Sequence, residues 1–182
     1  MASTITAFRT SGPSARRGFR SPKTIDHSGI DFDIFGDLLS FFARTVVMAL
    51  NQDLDARMDG LPVARGIGKI SALLLVGANP GIRPSVVAHY ILKDRAAMAR
   101  LLAELQMAGL IEQRVSARER RARELYLTEA GQGLRSRVET IALSQDDAFF
   151  TALSAGEQRV LLGLLKKLYG AHVASLPDGV SP

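Results

Sequence analysis

The residues best suited to chemistry in this chain are five arginines that lie within ten consecutive positions. One acidic residue, Glu119, stands among them. The five are Arg114, Arg118, Arg120, Arg121 and Arg123. A guanidinium group binds a phosphate or a carboxylate through paired hydrogen bonds, so this density of positive charge favours a polyanionic partner. The alternative is a solvated basic surface, on which like charges at this spacing would repel one another.

Short apolar runs flank the arginines and predict a β-hairpin. Leu110, Ile111 and Val115 precede the basic stretch, and Leu125 and Leu127 follow it. Two strand-like runs separated by a polar segment are typical of a hairpin whose tip carries that segment. Helical periodicity precedes the hairpin and resumes after it. That order favours a winged helix-turn-helix domain that binds nucleic acid.

Two predicted helices before the hairpin have helix-turn-helix proportions. Pro84 is suited to the first helical position, and a short helix follows over residues 85–92. Asp94 is a candidate N-cap for a longer helix over residues 95–108, and Gly109 is placed to end it. The apolar residues on the core face of the longer helix are Met98, Leu101, Leu102 and Leu105.

Further amphipathic helices are predicted on both sides of this module. Apolar residues recur every three or four positions over residues 31–57, where acidic residues at the start suit the helix dipole. A second helix is predicted over residues 63–77. After the hairpin, Thr128 can cap a long helix, and a capping-box pattern that begins at Ser154 starts the last helix.

The outer helical blocks, residues 31–57 and 129–174, are more apolar than a lone three-helix module requires. We expect them to bury each other across the two-fold axis of a homodimer, because symmetric dimers are the commonest oligomers. An intramolecular bundle is the alternative. The sequence therefore predicts a mainly α-helical fold with a small β-hairpin wing. In that fold, a DNA-binding module at about residues 62–128 lies between dimerisation helices.

Composition and charge predict the number of domains, the terminal segments and the location of the positive charge. The chain has 182 residues, of which 47% are apolar and 23% charged, and this predicts one globular domain, placed at residues 31–176. Residues 1–30 are predicted to be a disordered basic arm, and residues 177–182 a tail. The positive charge is concentrated in that arm and in residues 82–128, each of which carries +4.

Several classes of protein are disfavoured by what the sequence lacks. The chain has no cysteine, which excludes disulfides and thiol redox switches. No apolar run approaches the roughly 18 to 20 residues that span a bilayer, so we expect a cytoplasmic protein without a membrane partner. Paired carboxylates, a phosphate-binding glycine loop and a nucleophile–base constellation are missing, so we predict neither enzyme activity nor a cofactor. The three histidines are too dispersed to predict a metal site.

The hairpin and its flanks resemble the MarR-type winged-helix transcriptional regulators of bacteria and archaea. The family pattern is Asp-Arg-Arg, two or three variable residues, Leu-x-Leu-Thr, and a Gly three positions on. Here it reads Glu-Arg-Arg-Ala-Arg-Glu-Leu-Tyr-Leu-Thr-Glu-Ala-Gly over residues 119–131, after Ala-Gly-Leu-Ile at residues 108–111. The resemblance extends over residues 31–174.

The resemblance implies a homodimeric repressor that binds a pseudo-palindromic operator in double-stranded DNA. The second helix of the helix-turn-helix would enter the major groove, where Arg95 and Arg100 could read guanine. The family often has Ser or Thr at the positions of Ala96, Ala97 and Ala99. Here their methyl groups would lie against thymine methyl groups.

Contacts to the DNA backbone would come from Arg83 and Ser85, at the start of the preceding helix, and from the wing. By its position in the motif, Arg121 would reach into the minor groove. Glu119 stands where the family uses Asp to orient that arginine. The wing residues expected at phosphates are Arg118, Arg120 and Arg123.

Many MarR-type regulators are released from DNA by small aromatic or phenolic molecules. By analogy, the resemblance implies a small aromatic effector in a pocket between the dimerisation helices and the winged module. The candidate lining residues are Phe41, Phe42, Met48 and Arg65. Ordinary dimer core is the alternative for these side chains. DNA binding would also associate the protein with the bacterial nucleoid.

Two other functions remain open. The winged helix could bind an acidic protein partner through its arginines, or it could bind duplex DNA without sequence preference as an architectural module. Discrimination between duplex sequences separates both alternatives from a regulator.

Overall fold

The structure is a computed structural model that describes residues 29–117, 119 and 122–173. The predicted arm, apart from its last two residues, and the predicted tail at 177–182 lie outside these ranges. The chain divides into two compact units, Met1–Val47 and Met48–Pro182. The described elements, in chain order, are a 3-10 helix at Asp33–Asp37, α1 at Leu39–Arg57, α2 at Ile67–Ala78, α3 at Pro84–Tyr90, α4 at Arg95–Met107, β1 at Ile111–Val115, β2 at Arg123–Leu127, α5 at Glu129–Phe149 and α6 at Ala155–His172.

The first helix is shorter than the predicted span of residues 31–57. The side chain of Asp31 accepts a hydrogen bond of 2.8 Å from the backbone N–H of Asp33, and a 3-10 helix follows. Such a local side-chain bond competes with α-helical hydrogen bonding. Leu38 then adopts an extended conformation (φ −93°, ψ 104°), so the α-helix begins only at Leu39.

The second helix also begins later than predicted, at Ile67 instead of residue 63. Residues 58–64 form turns in which Val63 is fully buried without being helical. Arg65 has a left-handed backbone conformation with φ 55°, which an α-helix cannot accommodate. The apolar residues of this segment therefore belong to a buried turn before the helix.

One core joins α2, α3, α4, the hairpin and the first part of α5. The four residues predicted for the core face of α4 are all buried, which confirms that face. Among the described residues, the largest fully buried side chains of the core are Met58, Val63, Leu73, Val76, Val87, Leu105, Leu125 and Val138.

The hairpin is antiparallel and is held to the segment before α3. Ile111 pairs with Leu127 and Val115 with Arg123, which confirms the predicted strands. At the middle of β2, the backbone N–H of Leu125 donates to the carbonyl of Ile82 at 3.0 Å, and the N–H of Gly81 donates to the carbonyl of Leu125 at 2.9 Å. This bridge fixes the middle of β2 relative to the segment before α3.

The chain turns sharply where α4 meets the hairpin. Gly109 has φ 68°, and its N–H donates to the carbonyl of Gln106 at 2.9 Å. The N–H of Leu110 donates to the carbonyl of Leu105 at 2.9 Å. These two bonds are the Schellman pattern, which confirms the predicted helix end.

The start of α5 packs directly on this turn. The Thr128 hydroxyl donates to the carbonyl of Gly109 at 2.6 Å and accepts from the N–H of Gly131 at 3.0 Å. The N–H of Thr128 donates to the carbonyl of Leu110 at 3.1 Å. A Cβ atom on Gly131 would lie 2.0 Å from that carbonyl oxygen, so the close approach requires glycine. This contact explains the glycine of the motif.

The last helix begins as predicted, with a complete capping box. The Ser154 side chain accepts from the N–H of Glu157, and the Glu157 carboxylate accepts from the N–H of Ser154 at 2.9 Å. The Ser154 hydroxyl also donates to that carboxylate at 2.7 Å, and this bond, together with the one from the Ser154 N–H, lowers the pKa of Glu157. Within the described parts of the chain, no helix combines the length and apolar character needed to cross a membrane.

Candidate nucleic-acid interface

A cleft of about 740 Å³ lies between α3, α4 and the wing, which we define as residues 111–127. Four cationic side chains line it, together with one carboxylate, that of Glu119. We call this the basic cleft; the four cationic residues are Arg83, Lys93, Arg95 and Arg123. Such an excess of positive charge in a concave surface attracts a polyanion.

Helix α4 presents a polar face beside this cleft because its apolar residues are turned into the core. The side chain of Asp94 caps the helix by accepting from the N–H of Ala97 at 2.7 Å, which confirms the predicted N-cap. Arg95, Ala96 and Arg100 are exposed, and Ala97 is half-buried. The cap fixes the first turn of the helix, from which Arg95 and Ala96 project.

Arg95 and Arg100 form no hydrogen bond or ion pair with any residue that the structure describes. Arg100 could have paired with Glu104, four positions further along the helix. Instead, the Glu104 carboxylate lies 3.4 Å from the ammonium group of Lys69 on α2. The two arginines of α4 are therefore available to an external partner.

Arg83 occupies the N-cap position of α3, where its backbone is extended (φ −78°, ψ 144°) and Pro84 follows. Its guanidinium Nη2 donates to Oε2 of Glu119 in the wing at 3.0 Å. The neighbouring candidate Ser85 is exposed and lines the same cleft. The structure thus brings two predicted backbone contacts to the cleft and shows one of them already paired with the wing.

On one face of the wing, charged side chains pair with one another. The guanidinium of Arg114 lies 4.3 Å from the centroid of the Tyr126 ring and also pairs with Glu112. The Tyr126 hydroxyl donates to the Glu124 carboxylate at 2.8 Å, and this bond raises the pKa of Tyr126. Arg114 therefore stabilises the strand pair, whereas Arg123 is exposed and lines the basic cleft.

Three of the predicted wing contacts, Arg118, Arg120 and Arg121, lie outside the described residues. Lys93 is a cleft residue that sequence reasoning missed. Its place in the turn immediately before the Asp94 cap was the available signal, because that turn must lie at the start of α4.

The four candidate effector residues divide between the two units. In the first unit, the rings of Phe41 and Phe42 are in edge contact at 5.3 Å, and Phe41 stacks on Phe35 at 5.0 Å. In the second unit, Met48 is 61% exposed, and Arg65 is exposed in a left-handed conformation. Across the described ranges, no three His, Asp or Glu side chains lie together so as to hold a metal ion.

Solved structures establish the fold. The transcriptional repressor CouR, bound to a 23-mer DNA duplex, superposes with a TM-score of 0.71 over 78% of this chain and 99% of its own, at 23% identity. The crystal structure of MarR gives a TM-score of 0.67 over 80% of this chain and 96% of its own, at 20% identity. The chain has the MarR-type winged-helix fold. The predicted fold class and the predicted resemblance are confirmed at this level.

Further comparisons match another solved regulator with this fold and a relative that is named as a transcriptional regulator. The PcaV regulator of Streptomyces coelicolor, in complex with its natural ligand, has a TM-score of 0.67 and 22% identity, covering 79% of this chain and 98% of its own. A protein of Thauera aromatica named as a transcriptional regulator for the hcr operon is 33% identical over 102 residues, 56% of this chain. The chain spans 61% of the length of that relative.

A second named relative is the transcriptional regulator HosA of Escherichia coli. It is 28% identical over 93 residues, which are 51% of this chain and 69% of HosA. No family model matches the chain.

Proposed function

We propose that the chain is a dimeric transcriptional regulator that binds double-stranded DNA. The observation that carries this proposal is the basic cleft together with the exposed arginines of α4, which pair with none of the described residues. Four cations and one carboxylate on a concave surface favour phosphate groups. The regulators with this fold, and the named relatives, support the same function.

In this proposal α4 enters the major groove, because an α-helix fits that groove and its base edges carry a unique code. Arg95 and Arg100 read guanine through O6 and N7. Ala96 and Ala97 lie against thymine methyl groups, and small side chains let the helix approach the bases closely. The apolar face of α4, fully engaged in the core, holds the helix rigid in that position.

Phosphate contacts position the protein on the duplex without reading its sequence. We assign them to Arg83 and Arg123 of the basic cleft, and to Ser85. Arg118 and Arg120 add further phosphate contacts from the wing. Arg121 enters the minor groove, where a narrow groove has a more negative potential.

The dimer is proposed from the apolar surface of α6. None of its residues is buried within the single chain, and Leu164 and Leu168 are 54% and 60% exposed. Leu143 on α5 is 68% exposed. Exposed leucines of this kind are typical of an interface, and a second copy across a two-fold axis presents a second α4 to a pseudo-palindromic site. The alternative of an intramolecular bundle leaves these leucines uncovered.

We further propose that a small ligand controls DNA binding. PcaV, which has the same fold, was solved with its natural ligand. The aromatic group around Phe41 and Phe42 suits an aromatic molecule, which would stack on those rings. A shift of the melting temperature with phenols or aromatic carboxylates, removed by Phe42→Ala, tests this point. No shift with any of them would refute it.

A regulator of this kind acts in the cytoplasm and is associated with the nucleoid through DNA, and it needs no catalytic group. The test is the salt dependence of duplex binding by two matched variants. Arg123→Ala removes a cation from the basic cleft, and Arg137→Ala removes one from the exposed surface of α5. We expect Arg123→Ala to lower the slope of log Kobs against log salt by about one unit, and Arg137→Ala to leave it unchanged. Equal slopes for both variants would contradict the assignment of the cleft.

A further inference from the structure

The carboxylate of Glu119 is out of place on a surface that binds phosphates. It is 56% exposed and lines the basic cleft with four cations. A negative charge there repels DNA by Coulomb's law, most strongly at low salt. Its presence therefore requires a benefit that exceeds this repulsion.

The contact of Glu119 identifies that benefit. Its carboxylate accepts from the guanidinium of Arg83 at 3.0 Å, across 36 positions of the sequence. Arg83 lies immediately after Ile82, whose carbonyl accepts a hydrogen bond from the N–H of Leu125 in the middle of β2. One short segment before α3 thus contacts the wing at two places, at the middle of β2 through the backbone and nearer its tip through this ion pair.

Both ends of the ion pair are fixed by backbone hydrogen bonds. The carbonyl of Arg83 accepts from the N–H of Val86 at 3.0 Å, in the first turn of α3. The carbonyl of Glu119 accepts from the N–H of Ala122 at 2.9 Å, and the carbonyl of Ala122 accepts from the N–H of Ser116 at 3.0 Å. The pair therefore joins two backbone positions that are each held by a hydrogen bond, so a shift of one displaces the other.

We propose that Glu119 and Arg83 form a clamp that sets the position of the wing for DNA binding. This inference rests on the proposed function. Glu119 is a positioning residue that acts through Arg83 and does not itself touch DNA. Arg83 shares its donors between the clamp and the DNA backbone, since a guanidinium carries five N–H groups.

The test is a double-mutant cycle with Glu119→Gln and Arg83→Gln, measured on a duplex enriched from a random pool by the wild-type protein. Glu119→Gln should weaken binding by about two- to fivefold in the wild-type background, the range expected for an exposed ion pair. In the Arg83→Gln background the same change should leave binding unchanged or tighten it, because only the repulsion remains to be removed. Asp147→Asn, which raises the net charge equally on α5, is the control.

The sign of the effect decides the proposal. Tighter binding by Glu119→Gln in the wild-type background would show that the carboxylate only repels DNA. Equal weakening in both backgrounds would show that Glu119 acts without Arg83. Either result would overturn the clamp.

A second measurement separates the clamp from the proposed function. In the free protein, hydrogen exchange at the amides of Ser116 and Ala122 should be faster in Glu119→Gln and in Arg83→Gln than in the wild type. In the double variant it should be no faster than in either single variant. Unchanged exchange would overturn the clamp whether or not DNA binds. Altered exchange in a protein that enriches no duplex would retain the clamp and refute DNA binding.

Discussion

Replacing Gly131 with alanine should disrupt the junction that carries the wing. The added Cβ would lie 2.0 Å from the carbonyl oxygen of Leu110 and 3.0 Å from its carbonyl carbon, whereas ordinary contact begins at about 3.4 Å. Both atoms belong to the backbone, so no side chain can rotate away. Either α5 or the turn at Leu110 must move by more than an ångström.

The size of the loss in unfolding free energy follows from the packing and the hydrogen bond that this movement disrupts. Overpacking of a filled site costs about 1–3 kcal/mol. The displaced carbonyl also loses its hydrogen bond from the N–H of Thr128, which adds about 1 kcal/mol. We therefore expect Gly131→Ala to lower the free energy of unfolding by about 2–4 kcal/mol. For a chain of this size that corresponds to a fall in Tm of roughly 2–4 °C per kcal/mol.

Gly133→Ala is the matched control in the same helix. Among the described residues, apart from the neighbouring residues and backbone of α5 itself, no heavy atom lies within 4 Å of a Cβ at that position. The substitution should therefore stabilise α5 by about 0.5–1 kcal/mol through helix propensity. Urea unfolding of both variants measures the difference, at one protein concentration because a dimer's stability depends on it. If Gly131→Ala were as stable as Gly133→Ala, the close approach of α5 to Leu110 would be refuted.

Three further predictions concern other parts of the fold. A hydrogen bond from Arg57, another from Gln145 and the charge of Arg57 hold the pKa of Asp53 below the usual carboxyl value. The stability that this carboxylate contributes is therefore present at neutral pH and is lost as the pH falls through the lowered pKa. Between pH 7 and about pH 3, unfolding free energies should fall less for Asp53→Asn than for the wild type, and equal losses would contradict the assignment. Leu164→Glu should shift the mass in sedimentation equilibrium toward the 19.6 kDa of one chain, and an unchanged dimer would exclude this face of α6 from the interface. Thr128→Ala should lower the unfolding free energy by about 1–2 kcal/mol because the α5 cap and the bond to Gly109 are both lost, and a change below about 0.5 kcal/mol would show that the cap is dispensable.

Local signals predicted much of the fold because they act over a few residues. The Asp94 and Ser154 caps and the Gly109 helix end each depend on hydrogen bonds within one turn, and the structure has all three. The starts of α1 and α2 were predicted too early. Apolar spacing alone does not distinguish a helix from a buried turn, and the left-handed conformation of Arg65 leaves no trace in that spacing.

The candidate interface was predictable only in part, for a related reason. The arginines of α4 follow from its cap and its core face, so Arg95 and Arg100 could be placed on the exposed side. The contact between Arg83 and Glu119 depends on how the wing folds back toward α3, 36 positions away. A motif that places Glu119 beside Arg121 in the sequence does not reveal that partner.

The measurement that tests the central claim most directly is the affinity of the full chain for two duplexes of equal length. One is the duplex most enriched from a random pool, and the other has the same bases in scrambled order. Fluorescence anisotropy at about 0.15 M salt should give a Kd for the enriched duplex that is at least about a thousandfold lower, with an inverted repeat whose half-sites lie about one helical turn apart. Equal affinity for the two duplexes would contradict a sequence-specific regulator, and no binding to either would contradict a DNA-binding protein.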